Sequence, residues 1–231
     1  MINRRFFLLG IFVLVLVAPA MAQFEHPDMK SGKLKLNTVV VLPPHVEVSK
    51  IGVKSNEGLI QESQAVEAAL PGIVAGVLKD KGCTVVESPF TKEALEKDPE
   101  LKYALADLQK QFDNVLVQVK KKPKDIRKGR FTMGDEVAKI PSGAEALVFV
   151  RAAGQISTGG KKTFAFLVGG PGLYDLYWVD TVVVDARNGN VLYYARTFST
   201  GNVVKEPDRM RKHIFKGFKN FASANPPKGK S

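Results

Sequence analysis

His26, His45 and His213 are the only histidines of the chain, and imidazole is the side chain best suited to proton transfer or metal ligation near neutral pH. No two of them stand at a ligand spacing such as i, i+4. His45 has the best position, because it follows an apolar strand-like run, at the kind of strand end where α/β folds place ligands. The stretch from Gly154 to Thr163 (Gly-Gln-Ile-Ser-Thr-Gly-Gly-Lys-Lys-Thr) imitates a phosphate loop. A true one has Lys directly after its second Gly, then Ser or Thr opening a helix. Here an extra Gly and an extra Lys intervene and a strand pattern follows, so a hairpin turn is expected at Gly159-Gly160-Lys161-Lys162. Asp175, Asp180 and Asp185 are five apart, an odd spacing that alternates between the faces of a strand. They make no carboxylate pair, and Asp185 is expected to cap a turn. Cys83 is the only cysteine; it precedes Val85-Val86 and reads as a buried, inert thiol that has no internal disulfide partner. No nucleophile–base pair, metal cluster or cofactor motif emerges, and catalysis is not expected.

Two stretches could instead bind. Lys120, Lys121, Lys122, Lys124, Arg127, Lys128 and Arg130 form the densest basic run. They suit an anionic envelope polymer or an acidic partner, although such runs are usually solvated helix ends. Phe164 to Trp178 combines aromatics with Gly169-Gly170-Pro171-Gly172 and holds the only Trp. Leu173, Tyr174, Tyr177 and Trp178 are the candidate partner-binding loop, the alternative being a core strand after a Gly-rich turn.

These residues sit in a chain that carries an export signal. Arg4 and Arg5 precede an apolar run from Phe6 to Val17, Pro19 breaks it, and Ala20-Met21-Ala22 supplies a small-residue cleavage site, so cleavage is expected between Ala22 and Gln23. The run is shorter than the ~20 residues of a membrane span. The two arginines also fit a twin-arginine signal, but the very apolar core favours the general export route. A lipoprotein signal needs Cys where Gln23 stands. The expected location is therefore periplasmic or secreted.

Of 231 residues, 34 are Lys or Arg and 23 Asp or Glu, a formal charge of +11; only Arg4 and Arg5 are charged in residues 1–22, so the remaining 209 carry +9. That excess suits anionic surfaces, and export removes nucleic acid as the obvious partner. The expected organisation is a signal peptide (1–22), a flexible segment (23–32), one α/β domain (33–222) and a disordered basic tail (223–231).

Within the domain, Lys33 to Leu42 predicts a strand whose run Val39-Val40-Val41-Leu42 is buried on both faces. Pro43-Pro44 stops it, and a loop is expected over 45–58. Leu59 to Lys81 is helical in spacing, with Pro71 expected to kink or restart it and Gly82 to end it. Cys83 to Glu87 completes a strand–helix–strand unit, implying a parallel pair. Leu101, Leu105, Leu108, Phe112, Val115 and Val119 mark the clearest amphipathic helix. A short helix near Gly134 to Ile140 and strands at Ala144–Ala153 and Thr163–Val168 follow. Asn188-Gly189 joins strands at Tyr177–Asp185 and Val191–Phe198 as a hairpin, and Asp208 to Phe221 is a basic amphipathic helix. The fold class is α/β, a two-layer sandwich: a mixed sheet of about five or six strands with helices mainly on one face.

Val39-Val40-Val41-Leu42-Pro43-Pro44, Leu78 through Val86 around Gly82, Gly143-Ala144-Glu145-Ala146-Leu147-Val148, and Asp185-Ala186-Arg187-Asn188-Gly189-Asn190-Val191-Leu192 occur in an order that resembles a group of bacterial envelope modules. The group comprises the amino-terminal domain of TolB, the LpoB-type activators of penicillin-binding proteins and the periplasmic part of the curli secretion protein CsgG. The resemblance spans most of residues 33–222. It implies a two-layer α/β domain that binds other proteins and has no catalytic site. Many members are lipoproteins, and this chain departs from them in lacking the lipid-bearing Cys.

The functional expectation is an exported, non-catalytic interaction module of the cell envelope, bound to one or more envelope proteins. A second reading makes it a homo-oligomeric subunit of an outer-membrane-associated secretion or assembly complex, with residues 163–184 inserting in a membrane or joining subunits. A hydrolase is a lesser alternative that would need a carboxylate and a polar pocket beside His45.

Overall fold

Val39, Val40, Val41 and Leu42 are all buried, and a strand with no polar face must lie between two layers. In the computed structural model, which describes residues 22–51, 56–157 and 175–225, it is β2 (Thr38–Val41). The other strands are β1 (Ala22–Glu25), β3 (His45–Ile51), β4 (Asn56–Gly58), β5 (Thr84–Val86), β6 (Ala146–Ser157), β7 (Leu176–Asp185) and β8 (Val191–Thr200). They form one sheet in the order β1-β8-β7-β6-β2-β5; β3 continues along β6 beyond β2, and β4 pairs with β3. β2 is parallel to β5 and β6, as β3 is to β6. The β1, β8, β7, β6 side is antiparallel. The helices are α1 (Pro27–Lys30), α2 (Ile60–Asp80), α3 (Lys92–Lys97), α4 (Pro99–Lys121) and α5 (Pro207–Gly217).

The α/β class and the mixed sheet are those expected from the sequence. The sheet has eight strands among the described residues, more than the five or six anticipated. Helices also cover both faces. Leu70, Val74 and Val77 of α2, with Met210 and Ile214 of α5, pack on Val39, Val148 and Val150. Leu108, Phe112 and Val115 of α4 pack on Val40, Leu147 and Phe149 of the other face, where the Phe112 and Phe149 rings stack at 5.1 Å between centroids. Asp98 starts α4 by accepting from the Glu100 and Leu101 amides. No helix among the described residues is long and apolar enough to cross a membrane.

Several local expectations are corrected. Residues 23–32 are not loose: Gln23, Phe24 and Glu25 pair with Ala195, Tyr194 and Tyr193 of β8, and Met29 is buried in the α2-side core. The loop expected over 45–58 contains β3 and β4. Strict alternation in His-Val-Glu-Val-Ser-Lys-Ile buries Val46 and Val48. The strand expected from Lys33 begins only at Thr38, and α2 continues through Pro71. The tail does not begin at 223: Leu36 forms a parallel bridge with Ser223, and Asn225 Nδ2 donates to Asn37 Oδ1 at 2.9 Å. Gly82 does end α2's turn, at φ +89°. The strand expected at Thr163–Val168, residues 1–21 of the signal segment, and tail residues 226–231 lie outside the described residues.

Gly154 faces Tyr177 across the β6–β7 ladder, and the Tyr177 ring lies over it, so that a Cβ there would be 2.5 Å from Cε1. Tyr177 is buried and cannot swing away. Gly154→Val should therefore lower stability by roughly 1–3 kcal/mol, read as a fall in the thermal midpoint, whereas Gln155→Val next to it should change little.

Cys83 is 5 % exposed, and burial, then the negative charge of Glu145, pushes its thiol up to about 11. At pH 8 only about one molecule in a thousand is then thiolate, the reactive form. Iodoacetamide should label the folded protein very slowly and the urea-unfolded chain readily; equal labelling rates would contradict the buried placement.

Candidate functional site

β2 has β5 on one side and β6 on the other. The chain reaches β5 by way of α2, on one face, and then reaches β6 by way of α3 and α4, on the other. Connections that leave neighbouring parallel strands toward opposite faces open a crevice at the strands' carboxyl ends. Two adjoining cavities of about 1020 and 680 Å³ lie there, sharing Pro43, Glu67, Phe90 and Lys92. Together they make one groove between α2 and α3–α4.

The local sequence explains its shape. Pro43 and Pro44 have no N–H to extend the β2 ladder, and the Pro43 carbonyl instead accepts from Gln109 Nε2 at 3.4 Å. On the exit from β5, Ser88 Oγ accepts from the Phe90 amide at 3.2 Å, and this turn places Phe90 at the base of the groove. Pro71, in the α2 wall, cannot donate to the Glu67 carbonyl one turn earlier. Both residues line the groove.

Apolar groups (Val41, Phe90, Leu95, Leu105) line the interior, and Glu67, Lys92, Glu96 and Lys102 contribute charges of both signs. Lys92 pairs with Glu96 at 3.9 Å. Tyr103, on the α4 side, is 77 % exposed, a large aromatic surface left without a cover. The lining includes no His or Cys, and its apolar interior suits an apolar segment.

The residues singled out from the sequence are distributed differently. Leu173 and Tyr174 lie outside the described residues. Tyr177 is buried, not displayed; burial, then the charges of Asp175 and Glu62, pushes its hydroxyl up to about 12. Trp178 is half-buried on the opposite face of β7, tilted against Phe198 with centroids 5.7 Å apart. Within the supposed inserting segment, residues 176–184 belong to β7, hydrogen-bonded to β6 on one side and β8 on the other. It cannot leave the sheet without dismantling it.

The basic run is exposed, and four of its seven cations have partners within the molecule. Lys120 Nζ reaches the buried Asp180 at 2.7 Å. Lys128 and Arg130 both pair with Asp125, at 3.1 and 3.9 Å, and the Arg127 guanidinium lies over the Phe24 ring, 5.3 Å from its centroid. The hydrogen bond from Lys128 holds the Asp125 carboxyl below its ordinary range. Within the run, Lys121, Lys122 and Lys124 have no ion pair among the described residues.

His45 does meet carboxylates: its Nε2 is 3.4 Å from Glu47 Oε1 and its Nδ1 3.8 Å from Asp113 Oδ2. Arg151, paired with both Glu47 and Asp113, stands among them, with Nη1 3.3 Å from His45 Nδ1. Despite the desolvation cost, those carboxylates hold the Arg151 guanidinium above its ordinary range. No Ser, Thr or Cys side chain hydrogen-bonds to His45 among the described residues. His26 caps α1 by accepting from the Asp28 amide at 3.3 Å. Among the described residues no group of three His, Cys, Asp or Glu could hold a metal ion. Asp185 caps the hairpin as expected: its Oδ1 accepts from the Arg187 amide at 2.9 Å.

No family model and no curated protein matches the chain. Among solved structures it is similar to the dodecamer of a single-residue variant of PelC from Paraburkholderia phytofirmans, with 12 % identity over 88 % of this chain and 98 % of that one and a TM-score of 0.41. A second PelC dodecamer structure from the same organism matches at 14 % identity over the same shares with a TM-score of 0.38. Lipoprotein GNA1162 from Neisseria meningitidis matches at 14 % identity over 71 % of this chain and 81 % of that one, with a TM-score of 0.36. No assignment rests on likenesses at that level.

The Asp180 carboxylate is held by Lys120, by the Tyr194 hydroxyl donating at 2.7 Å and by Arg196 Nε at 3.7 Å. Lys120→Met should cost roughly 1–3 kcal/mol, less than stripping a fully buried pair, because two partners remain. Adding Asp180→Asn should recover part of that loss in a denaturant titration; a purely additive double variant would show that the pair is not coupled.

Proposed function

We propose that this chain is an exported, non-catalytic protein-interaction module of the bacterial cell envelope, and that the groove between α2 and α4 receives an apolar segment of its partner. The observation that carries the reading is the groove itself: an apolar interior at a topological switch point, with charges of both signs around it and Tyr103 exposed beside it. Such a site recognises a short stretch of chain by taking up its apolar side chains. The envelope location is supported by the signal segment and its Ala20-Met21-Ala22 cleavage motif. Cleavage after Ala22 would leave Gln23, Phe24 and Glu25 of β1 paired with β8.

Kinship with the TolB–LpoB–CsgG group belongs to the same proposal. Its support is that the four shared segments fall on β2 with its Pro-Pro end, the α2–β5 turn, the start of β6 and the β7–β8 hairpin. These elements frame the parallel half of the sheet and the hairpin beside it.

The test places a photo-crosslinking residue at Tyr103 or Gln64, on the two groove walls, and as control at Val117, which is 52 % exposed on α4 and outside the groove. In producing cells, both wall positions should yield the same higher-mass adduct and Val117 should not. Tyr103→Ala should weaken capture of that partner about ten-fold, the usual effect of an aromatic anchor. Adducts from Val117 equal to those from the groove, or none from either wall, would dismiss this site.

A further inference from the structure

Cations without an ion pair gather on one side of α5 and the turn after it. Met210, Ile214 and Gly217 of that helix are buried, as is Phe218 just after it. Helical spacing then turns Lys212, Phe215 and Lys216 to the opposite, solvent side; all three are exposed, as is Lys219 in the turn that follows. The flanking arginines are occupied: Arg211 pairs with Asp80 at 2.6 Å, and Arg209 with Glu206 at 3.1 Å and Thr200 Oγ1 at 2.6 Å. Lys212, Lys216 and Lys219 have no ion pair among the described residues. Asp208, in the first turn, is the only acidic residue of the helix. Phe215 is 39 % exposed, and the Lys81 ammonium stands 4.2 Å from its ring centroid. Four lysines thus surround one outward-facing aromatic ring.

The field of these cations is felt locally. His213, on the same helix, is held below its ordinary range by burial and then by the charges of Lys216, Arg209 and Lys212.

We propose that the outer face of α5 docks this protein onto the surface of an anionic phospholipid bilayer. The face is a convex helix side, and its cations are lysines, flexible point charges that adapt to mobile phosphate head groups instead of demanding a fixed bidentate partner. Phe215 supplies an apolar side chain that enters the boundary between head groups and acyl chains. A lysine near an anionic leaflet contributes about 1 kcal/mol, a five-fold gain in partitioning. Lys212, Lys216 and Lys219 together are worth about 100-fold. The helix stays packed on the sheet throughout, because its other face is the core. This proposal is independent of the groove: that site lines the N-terminal half of α2, whereas α5 pairs with Asp80 at the C-terminal end.

The experiment uses the mature chain from Gln23, sedimented with phosphatidylcholine vesicles and with vesicles that also contain phosphatidylglycerol. Binding is expected only to the second, and raised salt should release it. K212Q/K216Q/K219Q should cut partitioning by about 100-fold. K121Q/K122Q/K124Q changes net charge equally but leaves α5 intact, and should stay within a few-fold of the parent. In a Trp178→Phe background, Phe215→Trp should shift its emission to the blue on adding the anionic vesicles, a readout that removes no lysine. Equal losses in the two triple variants would show that total charge acts, not this face, and overturn the proposal. So would an unshifted emission at saturating lipid, or binding to polyglutamate without binding to vesicles, which would make the partner an acidic polypeptide.

Discussion

Everything in this fold follows from the need to cover both faces of β6. Ala146, Val148, Val150 and Ala152 point into one core, and Leu147 and Phe149 into the other. Twelve residues of strand cannot satisfy their backbone groups on one side alone, so β7 takes one edge, and β2 followed by β3 the other. Each core then demands its own helices: α2 and α5 above, α4 below. The parallel half must cross over to be built, and crossing to opposite faces is what opens the groove. Site and core thus share one cause.

The apolar pattern of β6 also marks where coverage ends. On the α4 face the sequence runs Leu147, Phe149, Arg151, Ala153, Gln155. Arg151 appears where the helix presents Asp113, and beyond it Ala153 is exposed. The same switch occurs on β7 and β8, where Val182 and Tyr194 give way to Asp180 and Arg196, and Lys120 closes over the carboxylate. Two ion pairs, Arg151–Asp113 and Lys120–Asp180, join α4 to the sheet about two turns apart. Hydrophobic contact supplies the attraction between the layers, but it is non-directional. The paired charges fix the register, because sliding α4 by one turn would strand Asp180 without its ammonium in a buried site.

Much of this was legible in the chain. The three-four spacing from Leu101 to Val119 and the Asn188-Gly189 turn are local signals, and each predicted its element well. β3 was legible too, in the alternation from His45 to Ile51. Its His, Ser and Lys, with Gly52, Asn56 and Gly58 following, read instead as a loop, because polarity on the open face of a half-buried strand resembles polarity of a turn. β1 gave no usable signal: four residues beside a cleavage motif are too few for periodicity, and the strand exists only because β8 offers it an edge. The groove could not be read at all. Pro43, Phe90, Pro71 and Tyr103 come from four separate segments, and only the crossover topology brings them together.

Charge density along the sequence does not tell which cations stay unpaired in the fold. The run from Lys120 to Arg130 is the densest in the chain, yet four of its seven cations serve Asp180, Asp125 and Phe24. The sparser lysines of α5 stay free because the helix periodicity gathers them on one side, while the acidic residues near them, Asp80 and Glu206, are taken by arginines that flank the face. An arginine is the better internal partner, since its planar fork holds a carboxylate in a fixed geometry; a lysine is the better solvent-facing one. That division leaves the α5 face positive without destabilising the helix, whose last turn favours cations near its carbonyls. The groove, roughly 15 Å away along α2, carries charges of both signs. The molecule therefore presents two chemically distinct surfaces, one suited to an apolar chain segment and one to an anionic plane, and a single helix, α2, fixes their separation.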